Sequence, residues 1–363
     1  MRKKSIVVLG PSLTAVSGVS THLNMLYASQ LTREFELIHF QVGSEGRRES
    51  DLGKALRALV SPWQLFLLII TRRPSIVHIN SVRDSKALCR DFVYLIVAKG
   101  LGRKVVSQFH GGELPQTPFL RSRLHTWLLR CFMGWTDAVV VLSQEELRSH
   151  KAFSPAATIV CIPHAIISDE LLGPISLPDA QRPLRLVFVG RLIREKGLFE
   201  VLEALPSLLA SGRQIELHIA GAGREEPALK ALASRLSLGS AVRFIGPVFG
   251  ASKNRLWLLA DVFVFPTYHK EGLPYALLEA MAAGTPPVTC AVAAIPDVIT
   301  DGVHGLIVPS KNVQALATMI ARLYDDRVLL YRMALAGRER VLEYYTLTRL
   351  SADFSRLYAI VST

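Results

Sequence analysis

The chain has 363 residues, half of them apolar and a fifth charged, a length that favours two domains and a composition that excludes a disordered chain. Forty-two lysines and arginines against thirty aspartates and glutamates leave +12, spread as 21 basic and 14 acidic residues up to position 180 and 21 and 16 beyond it. That charge suits a protein that handles polyanionic nucleotides or lies beside an anionic membrane, and equally a solvated surface; with no aromatic-interleaved basic patch, it argues against nucleic acid as a partner.

The start, MRKKSIVVLGPS, imitates a signal peptide, but Pro11 ends its apolar run too soon, and a first β-strand with a glycine-bearing loop explains it better. From there, short β-branched runs alternate with helical periodicity. They are SIVVL, ELIHF, SIVHI, KVVSQF, AVVVL and TIVCI, then LRLVFVG, IELHIAG, VRFIG, VFVFP, PPVTC and GLIVP. The alternation predicts parallel sheets with crossover helices, an α/β fold. After the first strand, VSGVSTH (16–22) opens a helix and places Gly18 and Ser20 where backbone can approach a ligand; an ordinary strand-to-helix turn explains it about as well. The apolar stretch 63–70, interrupted at Gln64, is too short to span a bilayer, so membrane contact is expected to be peripheral.

Further on, QFHGGELP puts His110 at the carboxyl end of a predicted strand, followed by Gly111 and Gly112. A histidine there can face a ligand and polarise a reacting hydroxyl. Residues 119–135, FLRSRLHTWLLRCFMGW, set Leu120, Leu124, Trp127, Leu128, Cys131 and Trp135 at helical spacing, with Arg121, Arg123 and Arg130 elsewhere around the helix. Base rates favour a core-facing stripe with a solvated basic face, and a helix lying on a membrane is the secondary reading. The four cysteines, Cys89, Cys131, Cys161 and Cys290, show no metal spacing and read as reduced core residues of a cytosolic protein. The strand–helix rhythm breaks once, between 168 and 183, in a stretch with three prolines, a glycine and no periodicity. The expected organisation is a first domain over 1–170, a linker over 171–183, a second domain over 184–345 and a C-terminal helix over 346–363 packing back toward the first domain. Two doubly wound domains would bind ligand in a cleft outside the carboxyl ends of their strands.

In the second domain, VGRLIREKG places Arg191 and Lys196 beyond the end of its first strand, before a helix opening near Gly197. Two cations and an amide-rich helix start can grip a diphosphate. GAGREE at 221–226 has Glu226 where a dinucleotide fingerprint needs its third glycine, which argues against NAD. No D-x-D occurs in the chain, so no carboxylate-held metal is expected on a diphosphate, and Arg191 and Lys196 are left to neutralise it. EGLPYALLE sets Glu271 and Glu279 eight positions apart, one in a loop and one inside a helix that runs to Gly284. The amides of Gly272, Leu273 and Tyr275 lie at that helix start, with Pro274 in its first turn, a setting for a phosphate or sugar hydroxyl.

Taken together, VGRLIREKG, HIAGAG, EGLPYALLEAMAAGTPPV and IPDVITDGVHGLIVP resemble glycosyltransferase family 4, the retaining enzymes of the GT-B fold, across nearly the whole second domain; the first domain matches through VSGVSTH and FHG. The resemblance implies two Rossmann-like domains facing each other across a cleft and transfer of a sugar from a UDP- or GDP-sugar to a carbohydrate or lipid-linked hydroxyl. It also implies retention at the anomeric carbon, with no cofactor and no metal. By motif position, Arg191 and Lys196 would hold the diphosphate and Glu279 the ribose hydroxyls; Glu271, Gly272 and Leu273 would contact the donor sugar, and His110 would lie beside its reacting face. Two departures stand out. The family's usual glycine pair is here Ala293 and Ala294, with Asp297 for the commoner Glu, and its usual Asn-Gly after an Ile-Pro is here His164 and Ala165. The expected location is cytoplasmic, with peripheral contact at the inner membrane face. Two other functions share the architecture: a sugar-nucleotide 2-epimerase, which needs further cleft carboxylates beyond Glu113, and a non-catalytic sugar-nucleotide-binding scaffold, against which the joint presence of Arg191, Lys196, Glu271 and Glu279 argues.

Overall fold

The computed structural model describes residues 3–47, 49–83, 85–112, 123–269 and 272–363. They form two compact units: Met1–Ala165 with Lys270–Leu273 and Leu347–Thr363, and Ile166–His269 with Pro274–Thr346. All twelve apolar runs of the sequence are strands. Strands buried on both faces of a parallel sheet need no polar alternation, which is why continuous Val/Ile/Leu runs marked them.

The first unit holds β1 (Lys4–Gly10), β2 (Phe35–Gln41), β3 (Ile76–Arg83), β4 (Lys104–Gly112), β5 (Ala138–Val141) and β6 (Ile159–Cys161). Among the described residues they form one parallel sheet in the order β2-β1-β3-β4-β5-β6. One of its faces is covered by the helices Asp51–Arg72, Ser85–Gly100 and Arg123–Trp135, through Leu65 and Ile69, Tyr94 and Leu95, and Phe132 and Met133. The other is covered by Gly18–Ala28 and the C-terminal helix Leu347–Val361, whose Phe354 and Tyr358 pack with Ile6, Val8 and Leu23.

The second unit holds β7 (Leu184–Val189), β8 (Ile215–Ala220), β9 (Val242–Gly246), β10 (Val262–Phe265), β11 (Pro287–Thr289) and β12 (Leu306–Ile307). Its parallel order is β12-β11-β10-β7-β8-β9. In both sheets the strand order reverses once, beside β1 in the first and beside β7 in the second. Loops leaving adjacent strands in opposite directions open a crevice there, so the loops after β1 and β3, and after β7 and β10, are the places for ligand chemistry.

The chain passes between units at Ala165 and Ile166, and much of the stretch expected as a linker is held by the second unit. Ile166 bridges Thr346, Leu171 is buried, and Arg338 donates to the carbonyl oxygens of Gly173, Ala282 and Ala283 at 2.7, 2.7 and 2.9 Å. The proline-rich composition signalled irregular backbone, which is not the same as an unattached one. The apolar run 63–70 also lies inside a longer element than its own length suggests. The 22-residue helix Asp51–Arg72 is the one helix among the described residues long and apolar enough, by length and composition, to cross a membrane. Ser61, Leu65 and Ile69 anchor one side of it in the core, with Ser61 Oγ 2.7 Å from the Tyr94 hydroxyl.

Candidate functional site

The loop after β7 carries Arg191 and Lys196. It ends in a tight turn, Arg194–Lys196, and Gly197 at φ +79° starts the helix Leu198–Ala210. A Cβ on Gly197 would lie 2.3 Å from the Pro266 carbonyl oxygen, so this loop is pressed against the one after β10, and glycine is required twice over, for conformation and for space. The two loops are laced together through the Glu195 carbonyl, which accepts from the Tyr268 and His269 amides at 2.9 and 3.0 Å and from Thr267 Oγ1 at 3.2 Å. Arg191 Nη2 lies 3.4 Å from His269 Nε2. Lys196 is buried, its ammonium 4.9 Å from the centre of the Phe265 ring. The GAG stretch has a packing role: a Cβ on Gly221 would meet Gly190 O at 1.9 Å and one on Gly223 would meet Leu192 O at 2.3 Å. These glycines let the loop after β8 lie flat on the loop after β7. Arg191 and Lys196 thus belong to a rigid, backbone-lined strand end that can present cations to an anion.

Glu279 lies within the helix Tyr275–Ala283, which Gly284 ends at φ +80°. Pro274 is the residue just outside that helix, one position earlier than expected. The Glu279 carboxylate accepts from Lys253 Nζ at 2.7 Å and from Trp257 Nε1 at 3.2 Å. Both donors come from the helix Gly250–Leu259, and Trp257 is fully buried edge-on against Phe263. A carboxylate so fixed is pre-oriented for a pair of hydroxyls. Sequence reasoning missed Lys253 and Trp257: their four-residue spacing marks a shared helix face but says nothing of what it meets.

In the first unit, His110 near the end of β4 meets three other histidines. Its ring centre lies 4.8 Å from that of His22, on the helix after β1, and 5.4 Å from that of His164, just after β6. His78 on β3 is buried with its Nδ1 2.7 Å from the Tyr358 hydroxyl. His110 Nε2 is 2.8 Å from Asn80 Oδ1, His110 Nδ1 is 3.1 Å from His164 Nε2, and His164 Nδ1 is 2.8 Å from the Leu273 carbonyl oxygen. The oxygens at both ends accept, so they call for N–H at His110 Nε2 and His164 Nδ1. In a neutral pair the two inner nitrogens then face each other as lone pairs. Burial presses all four imidazoles toward the neutral form, His164 to about 4 and His78 to about 3, with His22 and His110 held well below the usual range by burial first and by their histidine neighbours next. A neutral His110 places no cation beside a bound sugar.

Three of the expected donor-side residues come together here. A Cβ on Gly272 would meet Gly111 N and the His110 carbonyl carbon at 3.1 Å each and Leu142 Cδ1 at 2.8 Å, so Gly272 lies on the His110–Gly111 backbone, beside Leu273 with its bond to His164. Gly111 and Gly112 take φ +89° and +105°, which only glycine does at little cost. Gly18 is the first residue of its helix, after the N-cap Ser17, and is exposed, and a Cβ there would meet nothing within 4 Å; no contact there demands a glycine. Glu271 and Glu113 lie outside the described residues, as do Leu120 and Arg121. Ala293, where the resembling family has glycine, takes φ +49°, a left-handed conformation a methyl group disfavours. Among the described residues, no group of three or more His, Cys, Asp or Glu side chains is placed to hold a metal ion.

Comparison with known proteins identifies the family and the fold. Residues 176–340 match the family model described as glycosyl transferases group 1, and residues 16–170 that described as glycosyltransferase family 4. The chain is 31% identical over 251 residues to the amylovoran biosynthesis glycosyltransferase AmsK of Erwinia amylovora, covering 67% of this chain and 60% of that protein. It is 30% identical over 272 residues to a GDP-mannose-dependent alpha-(1-6)-phosphatidylinositol monomannoside mannosyltransferase of Mycobacterium tuberculosis, covering 70% and 69%. Among solved structures, sucrose-phosphate synthase from Thermosynechococcus elongatus superposes with a TM-score of 0.78 at 18% identity over 99% of both chains. Anabaena HepE in complex with UDP gives 0.78 at 16% identity over 98% of this chain and 100% of that one. These two likenesses establish the fold, α/β of the GT-B type.

Proposed function

Because the chain belongs to the family 4, group 1 type glycosyltransferases, we propose that it transfers a sugar from a nucleotide diphosphate sugar to an acceptor hydroxyl, with retention at the anomeric carbon. The acceptor is a carbohydrate or lipid-linked chain in polysaccharide or glycolipid synthesis, and the protein works in the cytoplasm with peripheral contact at the inner membrane face. The observation that carries the reading is the strand-end cradle after β7. Arg191 and Lys196 sit on a loop fixed by Gly197 and by the Glu195 carbonyl, at the point where strand order reverses. These cations neutralise charge growing on the departing diphosphate, so no metal is required. Glu279 takes the ribose hydroxyls, Gly272 and Leu273 position the donor sugar with Glu271, and His110 lies beside its reacting face as a neutral imidazole. A donor phosphate oxygen then takes the acceptor proton on the same face, so no second carboxylate of the glycosidase kind is needed.

A nucleotide ligand is supported by the UDP bound in the Anabaena neighbour, and both UDP- and GDP-sugars are retained as candidates because the mycobacterial relative is GDP-mannose-dependent. Thermal unfolding against UDP, GDP, ADP and their sugar conjugates, with and without EDTA, tests the reading. One nucleotide family should raise the Tm, and the chelator should not change it, since a ligand at roughly 100 times its Kd adds about 2.7 kcal/mol. A folded protein that responds to none of them would discard the donor site. The configuration of the product's new linkage, read by NMR, decides retention separately.

A further inference from the structure

The helix Asp51–Arg72 has two apolar sides. At 100° per residue, Leu52, Leu56, Leu59, Val60, Trp63, Leu67 and Ile70 fall within an arc of about 100° that contains no charged residue, and Ser61, Leu65 and Ile69 lie opposite. The second set is buried in the core. The first points to solvent, with Leu52 81%, Leu59 72% and Trp63 68% exposed. Its accessible surface is on the order of 900 Å², against the few hundred Å² of the largest apolar patch on an ordinary monomer.

The neighbouring helices extend this face. The stripe on Arg123–Trp135, which base rates assigned to the core, is split: Leu128 packs with Leu129, Phe132 and Met133 in the core, and Leu124, Trp127 and Trp135 are exposed. Trp135 stacks on Phe92 of the helix Ser85–Gly100 at 5.5 Å between ring centres, and Val93 and Ile96 of that helix are exposed too. All three helices cover one side of the first sheet, so their outer surfaces belong to one layer. Together they carry eight basic residues and two acidic ones, an excess equal to half of the chain's +12. Lys54 and Arg72 stand at the two ends of the longest helix, with Arg73 just beyond it.

We propose that this layer, centred on the helix Asp51–Arg72, seats the protein on an anionic lipid bilayer. The proposal rests on the peripheral membrane contact of the proposed function and names its surface and its lipid class. The apolar arc enters the boundary between headgroups and acyl chains, the tryptophans sit at headgroup level, and long cationic side chains reach anionic phosphates from the ends. The helix lies on the bilayer and does not cross it, because Ser61, Leu65 and Ile69 hold its other side in the fold. A second copy of the chain fits this face less well, since it would bring the same excess of cations to the interface.

Co-sedimentation of the full chain with vesicles of phosphatidylglycerol mixed into phosphatidylcholine, against phosphatidylcholine alone, tests this. The wild type should partition at least roughly tenfold more strongly to the anionic vesicles, and Leu59→Ser, Trp63→Ser and Leu67→Ser together should lower that partition at least about tenfold, with circular dichroism unchanged because the three side chains fill no cavity. A triple variant that binds as well as the wild type would overturn the assignment of this surface and leave the membrane contact standing. A wild type that binds neither vesicle would remove both. Self-association abolished by the triple substitution, without vesicle binding, would give the face to a second copy and overturn the proposal.

Discussion

The cluster of His22, His78, His110 and His164 predicts a steep loss of stability in mild acid. In an unfolded chain a histidine titrates near about 6.5, whereas in the folded protein burial holds His164 to about 4 and His78 to about 3. The folded state therefore binds fewer protons, so its stability is full above about pH 6.5 and falls as pH drops toward the folded values. At about pH 5 each of these two histidines has withdrawn roughly 2 kcal/mol, because every pH step of one below about 6.5 removes about 1.36 kcal/mol. Together they account for about 4 kcal/mol, which for a unit of this size lowers the Tm by roughly 8 to 16 °C. His22 and His110 act in the same direction. Calorimetric unfolding at about pH 7.5 and about pH 5 measures the loss, and His164→Asn, which keeps a donor for the Leu273 carbonyl, should reduce it by roughly 2 kcal/mol. Wild type and His164→Asn losing equal stability between the two pH values, or a wild-type loss below about 1 kcal/mol, would refute the reasoning.

Other substitutions probe the remaining parts of the site. Glu279→Ala should weaken donor binding about 10- to 100-fold by calorimetric titration and also cost about 1 to 3 kcal/mol of stability, because the buried Trp257 indole N–H loses its acceptor. Lys196→Ala should raise the donor Kd by a similar factor, whereas His110→Ala should lower kcat with the nucleotide Kd nearly unchanged; the reverse split in steady-state kinetics would exchange their roles. Gly197→Ala, at φ +79° and 2.3 Å from a carbonyl oxygen, should destabilise by more than about 2 kcal/mol in denaturant titration. Ala293→Gly should stabilise by roughly 0.5 kcal/mol, since relief of about 1 to 2 kcal/mol in the left-handed region exceeds about 0.4 to 1 kcal/mol of added unfolded-chain entropy; unchanged urea midpoints would contradict this.

The sequence by itself determined the strands and the order of the second unit's motifs. Strands buried on both faces must be apolar throughout, so VFVFP and LRLVFVG are legible without knowing their partners. The placement of Arg191 and Lys196 beyond a strand end and of Glu279 inside a helix was legible because each belongs to a short local pattern: a loop after a strand, or a helix after a proline. Only tertiary structure could assemble the histidine cluster. His22, His78, His110 and His164 are scattered along the chain, and they meet because their segments follow or form strands of one sheet, three of them adjacent in the order β1-β3-β4. Nor could periodicity tell which way an apolar stripe points. In the helices Asp51–Arg72 and Arg123–Trp135 the pattern shows that one face is apolar, but the inward face is chosen by what the sheet leaves uncovered, and here Leu65 and Phe132 fill that space while Trp63 and Trp127 are left outside. A spacing records angles about a single helix axis, whereas burial depends on where that axis lies against the rest of the chain.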